Sequence, residues 1–189
     1  MNEASVIQQL NDILQEDEHR MSMLNVVASQ SIPQSYIAAG FVRNMVWDYC
    51  HQNSVSTPLA DIDVIYFDAG NVESEADLRY QAALEKAMPN VNWQVKNQAR
   101  MHVRNGHPPY MDIVDAMRFW PEMETAVAVR LTPTGMKWCS GFGLARLFAQ
   151  TVTHNPARPM ALFEQRLKNK NWQQRWPNLR VVLDEKQGR

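Results

Sequence analysis

Two aspartates one residue apart, Asp61 and Asp63, open the most strand-like run of the chain, Asp61-Ile62-Asp63-Val64-Ile65-Tyr66-Phe67. The β-branched and aromatic residues that follow them favour an extended backbone. On a strand, residues i and i+2 project from one face, about 7 Å apart along the backbone. Two like charges held that way repel each other, and without a countercharge one carboxyl pKa rises. Either the pair simply faces solvent at a strand start, or it shares a divalent cation. Mg²⁺ suits the second case, since it is commonly held by one or two carboxylates together with substrate phosphates.

The residues upstream give that choice a context. The run Ser35 to Ala39 is β-compatible and stops at Gly40, and Phe41 to Tyr49 then reads as a helix. Gly40 therefore lies at a strand-to-helix turn, where the missing Cβ allows close backbone approach. Free amides at a helix N-terminus, aligned with the helix dipole, form a site for anions. Arg43 and Asn44 lie in the first turn of that helix, and the Arg43 guanidinium has the fork geometry that phosphate oxygens accept.

The rest of the chain reads as helices around a small sheet. One or two amphipathic helices are expected over 3–30, with a charged break at Glu16-Asp17-Glu18. A helix follows over 74–88, a strand over 91–95, and a short helix before Gly106. Helices are also expected over 110–120, 142–151 and 161–170, with a hairpin turning at Thr132-Pro133-Thr134-Gly135. The order strand, helix, strand, helix, strand implies an α+β or α/β domain built on a small mixed sheet. The 189 residues fit one domain, with a core over about 30–140 and a helical C-terminal extension over about 141–189.

Composition narrows the partners. A net charge of −1 gives no broad footprint for nucleic acid, which leaves a local patch possible but does not favour it. Cys50 and Cys139 lack metal-ligand spacing and offer no disulfide framework. No secretory leader and no membrane-length apolar run is apparent, so a cytoplasmic protein with no membrane partner is expected. The basic cluster Arg166, Lys168, Lys170 and Arg175 beside Trp172 and Trp176 admits a base-stacking reading, although tryptophans next to a proline more often close a core.

Taken in order, Ala39-Gly40-Phe41-Val42-Arg43-Asn44, Asp61 to Phe67, Val95 to His102 and Asp115-Ala116-Met117 are similar to a bacterial family of the nucleotidyltransferase superfamily, over about residues 30–180. The resemblance implies an α+β fold of the DNA polymerase β type, a small mixed sheet flanked by helices with helical N- and C-terminal extensions. It implies transfer of a nucleoside monophosphate from a nucleoside triphosphate to an acceptor hydroxyl, with Mg²⁺ or Mn²⁺ at Asp61 and Asp63. Gly40, Phe41, Arg43, Asn44 and Lys96 are the nucleotide-binding residues it suggests. The acceptor, small molecule or macromolecule, and the oligomeric state are not specified.

Three positions depart from the family pattern. Phe41 stands where a second small residue is usual, and Ala60 where a serine often precedes the acidic pair. The third carboxylate of the superfamily falls by order near Gln94-Val95-Lys96-Asn97, which contains no acid. Asn97, through its amide oxygen, and Asp115, downstream, are the candidates for its role. A binding or regulatory module on the same fold, with catalysis weakened or lost, is the alternative. A phosphatase using the acidic pair would need an apolar strand before Asp61, and Ser56 to Ala60 is not one.

Overall fold

The structure is a computed structural model and describes residues 2–183; position 1 and positions 184–189, the end of the expected C-terminal extension, lie outside the described residues. The N-terminal region forms two helices, α1 (Glu3–Gln15) and α2 (Glu18–Ser29). Each has its own cap. The Asn2 side chain accepts from the Ser5 amide at 2.8 Å and that of Asp17 from the Arg20 amide at 2.9 Å. These caps satisfy amides that no helical carbonyl reaches, which is why the charged break divides the region. Val6, Leu10 and Leu14 form the buried stripe of α1.

β1 (Tyr36–Ala38) runs directly into α3 (Gly40–Cys50). β2 (Ile62–Tyr66) is joined through α4 (Ser74–Ala87) to β3 (Trp93–Asn97), and β2 and β3 are parallel, so α4 is the crossover such a pair requires. β4 (Val127–Thr132) and β5 (Gly135–Ser140) form the expected hairpin. The strands make one five-stranded sheet in the order β3-β2-β1-β4-β5, with β1 antiparallel to both neighbours. The mixed sheet flanked by helices is the α+β architecture expected from the sequence.

Alternation along β2 sets the two faces apart. Ile62, Val64 and Tyr66 enter a core with Leu10, Leu24, Phe41 and Val46 from the first three helices. Ile65 turns to the opposite face and packs with Tyr36, Ala38, Ile113 and Met117. By the same period of two, Asp61 and Asp63 lie on the side of Ile65.

The short helix expected before Gly106 is α5 (Met101–Asn105), closed by that glycine at φ 68°. Other stretches differ from the sequence reading, beginning with the strand expected over 91–95, which is β3 at Trp93–Asn97. The helix expected over 110–120 is confined to α6 (Ile113–Met117), whose N-cap is Asp112. The capping residue fixes a later start than periodicity suggests. The helix expected over 142–151 is a 3₁₀ segment over Leu144–Ala149; Gln150, at φ 53°, ends it, and the β-branched Thr151-Val152-Thr153 forms β6 (Thr151–Thr153). The C-terminal extension contains α7 (Met160–Lys170), α8 (Trp172–Arg175) and also β7 (Arg180–Val182), parallel to β6. No helix among the described residues is long and apolar enough to cross a membrane.

The extension is fastened to α3. Trp47 meets Trp172 and Trp176 edge-on, with ring centroids 6.0 and 5.1 Å apart, and Val152, Phe163 and Leu179 fill the surrounding space. Such pairs add about 0.5–1.5 kcal/mol each beyond the area they bury. The neighbouring Asp48 Oδ1 accepts from Trp176 Nε1 at 2.8 Å, and Asp48 Oδ2 from the Thr57 amide at 2.7 Å. One carboxylate thus ties both the tail and the loop before β2 to α3. Trp172 and Trp176 are 5% and 1% exposed, so the base-stacking reading of these rings is closed.

Replacing Trp176 with alanine is expected to lower the unfolding free energy in urea by about 3–5 kcal/mol. Trp176→Phe, which keeps most of the ring and loses the hydrogen bond to Asp48, is expected to lose about 1 kcal/mol.

Candidate active site

The turn between β1 and α3 carries backbone strain. Ala39 sits at φ 57°, ψ −121°, a conformation that L-residues rarely adopt. It is held there because its amide donates to Val127 O at 2.9 Å while its carbonyl accepts from the Val42 and Arg43 amides at 3.2 and 2.9 Å. Strain of this kind costs on the order of 1–3 kcal/mol and persists where the surroundings over-determine it. Gly40 follows at the first position of α3. A Cβ there would lie 3.5 Å from Arg43 Nη2 and 3.7 Å from Asn44 Nδ2, ordinary contacts. The fold would accept alanine at 40; glycine keeps open the space in front of the guanidinium.

Arg43 is buried, yet its guanidinium is well partnered. Nη1 donates to Thr125 Oγ1 at 2.6 Å and Nη2 to Asn44 Oδ1 at 3.0 Å. The group lies against the rings of both Trp47 and Trp172, 4.9 and 4.8 Å from their centroids. Burial pulls its pKa down to about 10, with Glu122 and the two aspartates opposing the fall, so it remains a cation at neutral pH.

The acidic pair is presented by the start of β2. The Ile62 amide donates to Asn92 O at 2.9 Å and Asn92 Nδ2 to Ala60 O at 3.0 Å, which anchors the strand entry to β3. Asp61 is exposed and Asp63 half-buried. Burial, and then the charge of Asp61, push the Asp63 pKa up to about 6, against the pull of Arg43, Lys170 and Arg166.

These groups face one cleft of about 500 Å³, a volume typical of ligand sites. Its walls carry six cations, Arg43, Lys96, Arg104, Arg158, Arg166 and Lys170, against the carboxylates Asp61 and Asp63. Arg158, Leu162, Arg166 and Lys170 recur every fourth residue, so a single side of α7 and its lead-in forms one wall. Phe163 on the other side of α7 enters the tryptophan core. Arg166 is fixed by the buried Glu122, Nη2 donating to Oε2 at 3.1 Å. The arrangement suits a polyphosphate chelating a divalent cation.

The structure brings together Gly40, Arg43, Asp61, Asp63 and Lys96 of the residues singled out from sequence. Asn44 lies behind them and orients Arg43. Three others are elsewhere. Phe41 is fully buried in the main core. Asn97 is also buried; its amide nitrogen donates to Asp68 O at 2.8 Å and Asn71 O at 2.9 Å, and its oxygen accepts from the Asp68 and Ala99 amides, so it ties the loop after β2 to the end of β3. Asp115 accepts from the Met111 amide at 3.0 Å and donates its own amide to Asp112, closing the start of α6 outside the cleft.

The register identifies another residue. Gln94 on β3 pairs with Asp63 on β2 and lines the cleft. Among the described residues no group of three His, Cys, Asp or Glu side chains is placed to hold a metal ion. Two carboxylates fit Mg²⁺ or Mn²⁺ nonetheless, since Mg²⁺ keeps several waters and takes further oxygens from phosphates.

A strand-to-helix glycine turn beside a strand opened by two carboxylates, on a mixed sheet of this order, is the construction of a nucleotidyltransferase. The Nucleotidyltransferase family model matches residues 25–181, and the chain belongs to that family. A solution structure described as a CCA-adding enzyme head domain superposes with a TM-score of 0.80 at 31% identity, over 94% of this chain and 95% of that one. A CCA-adding enzyme in complex with CTP shares the fold at a TM-score of 0.53 and 15% identity, over 96% of this chain and 43% of that one. None of the curated proteins matches the chain.

Two outcomes follow from the geometry. Gly40→Ala should leave the melting temperature within about 2 °C, since its contacts are ordinary and alanine is the better helix former, while weakening triphosphate binding tenfold or more in titration calorimetry. For Asp63, a folded-state pKa raised to about 6 means the folded chain holds a proton that the unfolded chain has released, so stability falls as pH rises through that range. Asp63→Asn should accordingly stabilise the ligand-free protein at pH 8 by on the order of 2 kcal/mol and have little effect below pH 4, as read from urea titrations at the two pH values.

Proposed function

We propose that the chain transfers a nucleoside monophosphate from a nucleoside triphosphate to an acceptor, using the cleft between the sheet and α7. The observation that carries this reading is the convergence of Gly40, Arg43, Asp61 and Asp63 with the cations of α7 on one surface. Asp61 and Asp63 would hold Mg²⁺ or Mn²⁺, which when bound supplies charge neutralisation of the triphosphate and of the departing pyrophosphate. The amides at the start of α3 and the open space at Gly40 receive phosphate oxygens. Arg43 is prepositioned by Thr125, Asn44 and the two tryptophan rings, so it reorganises little as charge builds on the leaving group. Arg166, locked by Glu122, and Lys170 approach the same phosphates from the opposite wall. Ile65, Met101, Trp120 and Leu162 supply the apolar part of the cleft for a base or an acceptor.

A second reading, a nucleotide-binding module without transfer, is favoured by one feature, the neutral amide of Gln94 next to Asp63. The two readings agree on binding and differ on turnover.

Titration calorimetry with each of the four triphosphates, CTP first because a protein of the same fold has been captured with it, tests the shared part. Metal-dependent binding in the wild type, lost at least tenfold in Asp61→Ala/Asp63→Ala, is expected; absence of binding to all four by folded protein would falsify the nucleotide reading. Pyrophosphate release in the presence of cell extract as an acceptor source then separates transferase from binding module.

A further inference from the structure

β2 and β3 run parallel with Asp63 directly paired to Gln94, and both side chains line the cleft. Paired strands lie about 4.8 Å apart, so the Gln94 amide is within reach of any ion that Asp63 ligates. Its orientation is set from below: Gln94 Nε2 donates to Asn92 Oδ1 at 3.2 Å. An amide oxygen ligates a hard cation but brings no negative charge. Lys96, the next residue on the same face of β3, adds a positive one.

A pair of divalent ions about 3.5–4 Å apart concentrates four positive charges. Here two carboxylates would have to hold them, in a cleft whose walls also carry Arg43, Arg166 and Lys170. A second ion would meet fixed cations where it needs an anion.

We infer that this site, read as nucleotide-binding above, takes one divalent cation with its triphosphate, because Gln94 leaves no carboxylate for a second, and that Arg43, Arg166 and Lys170 neutralise the remaining phosphate charge. Gln94 is thus a specificity-determining residue for metal number. The inference rests on the nucleotide reading, and the experiment below keeps the two failures apart.

The probe is Mn²⁺ with the α,β-methylene analogues of the four triphosphates, which bind without turnover. The full chain is kept in excess over the analogue, and bound Mn²⁺ is counted by electron paramagnetic resonance. The wild type should bind one Mn²⁺ per triphosphate, with the spectrum of an isolated ion. Gln94→Glu should bind two and show the exchange-coupled spectrum of a close pair. Gln94→Asp provides the same test should the longer acid disturb the edge strand, and urea titration confirms that each variant is folded. A coupled pair in the wild type overturns the inference and leaves the nucleotide reading intact. So does a single ion in both folded acidic variants. No triphosphate-dependent Mn²⁺ binding by any of the proteins overturns both.

Discussion

The Arg43 guanidinium, set against two tryptophan rings and hydrogen-bonded to Thr125 and Asn44, is the point at which core, extension and cleft meet. A buried cation is costly unless its charge is met. Here Trp47 and Trp172, set edge to face, both lie against the guanidinium, and oxygens from α3 and from the turn before β4 take part of its edge. One ring belongs to α3 and the other to the extension, so the same contact that makes the cation tolerable also fixes α7 across the sheet. Were the extension displaced, Arg43 would lose one stacking partner and the cleft would lose the wall carrying Arg166 and Lys170. The tail is therefore part of the site rather than an appendage to it.

The charge distribution follows from that docking. Burial of the Asp63 carboxylate, and then the neighbouring charge of Asp61, is unfavourable, which the raised Asp63 pKa expresses. The surrounding cations moderate this without abolishing it, since they are positioned around the cleft rather than paired to the aspartates. Arg166 is instead committed to Glu122, a residue wholly inside the protein. A cleft with an acidic pair, one member partly buried, on one side and fixed cations on the other is poorly matched to a simple anion or a bare metal ion alone. A metal-chelated polyphosphate satisfies both sides at once.

The parts of this arrangement that were legible in the sequence are local in the chain. Gly40 and Arg43 share a turn, Asp61 and Asp63 share a strand face, and both motifs are specified within a few residues. What escaped depended on distant partners. Arg166 and Lys170 read only as part of a basic cluster beside two tryptophans, because their i, i+4 spacing does not say what the face covers; the answer lies in the packing of Trp172 and Trp176 against Trp47, more than a hundred residues away. Gln94 acquires its place only from the parallel register with Asp63. The choice of Asn97 failed on parity: if Lys96 lines the cleft, period two puts Asn97 on the opposite side, where it is buried. Phe41 failed on helical phase, since it faces the core while Gly40 and Arg43 face the cleft. The short strands β6 and β7 span three residues each and carry no readable periodicity.

Two unfavourable features of the molecule lie at the cleft. The strain of the β1–α3 turn at Ala39 lies at the end of β1, and the desolvated carboxylate of Asp63 lies on the neighbouring strand β2. A backbone relaxed at Ala39 would rotate the first amides of α3 away from the cleft, and a neutral residue at 63 would relieve the charge. Local rules are broken here, while the caps of α1 and α2, the alternation of β2 and the tryptophan core obey them. That pattern is expected when a scaffold offsets the cost of a site selected for what it binds. Gly40 fits the same pattern: the fold has room for a methyl group there, and the glycine leaves open the space in front of the Arg43 guanidinium.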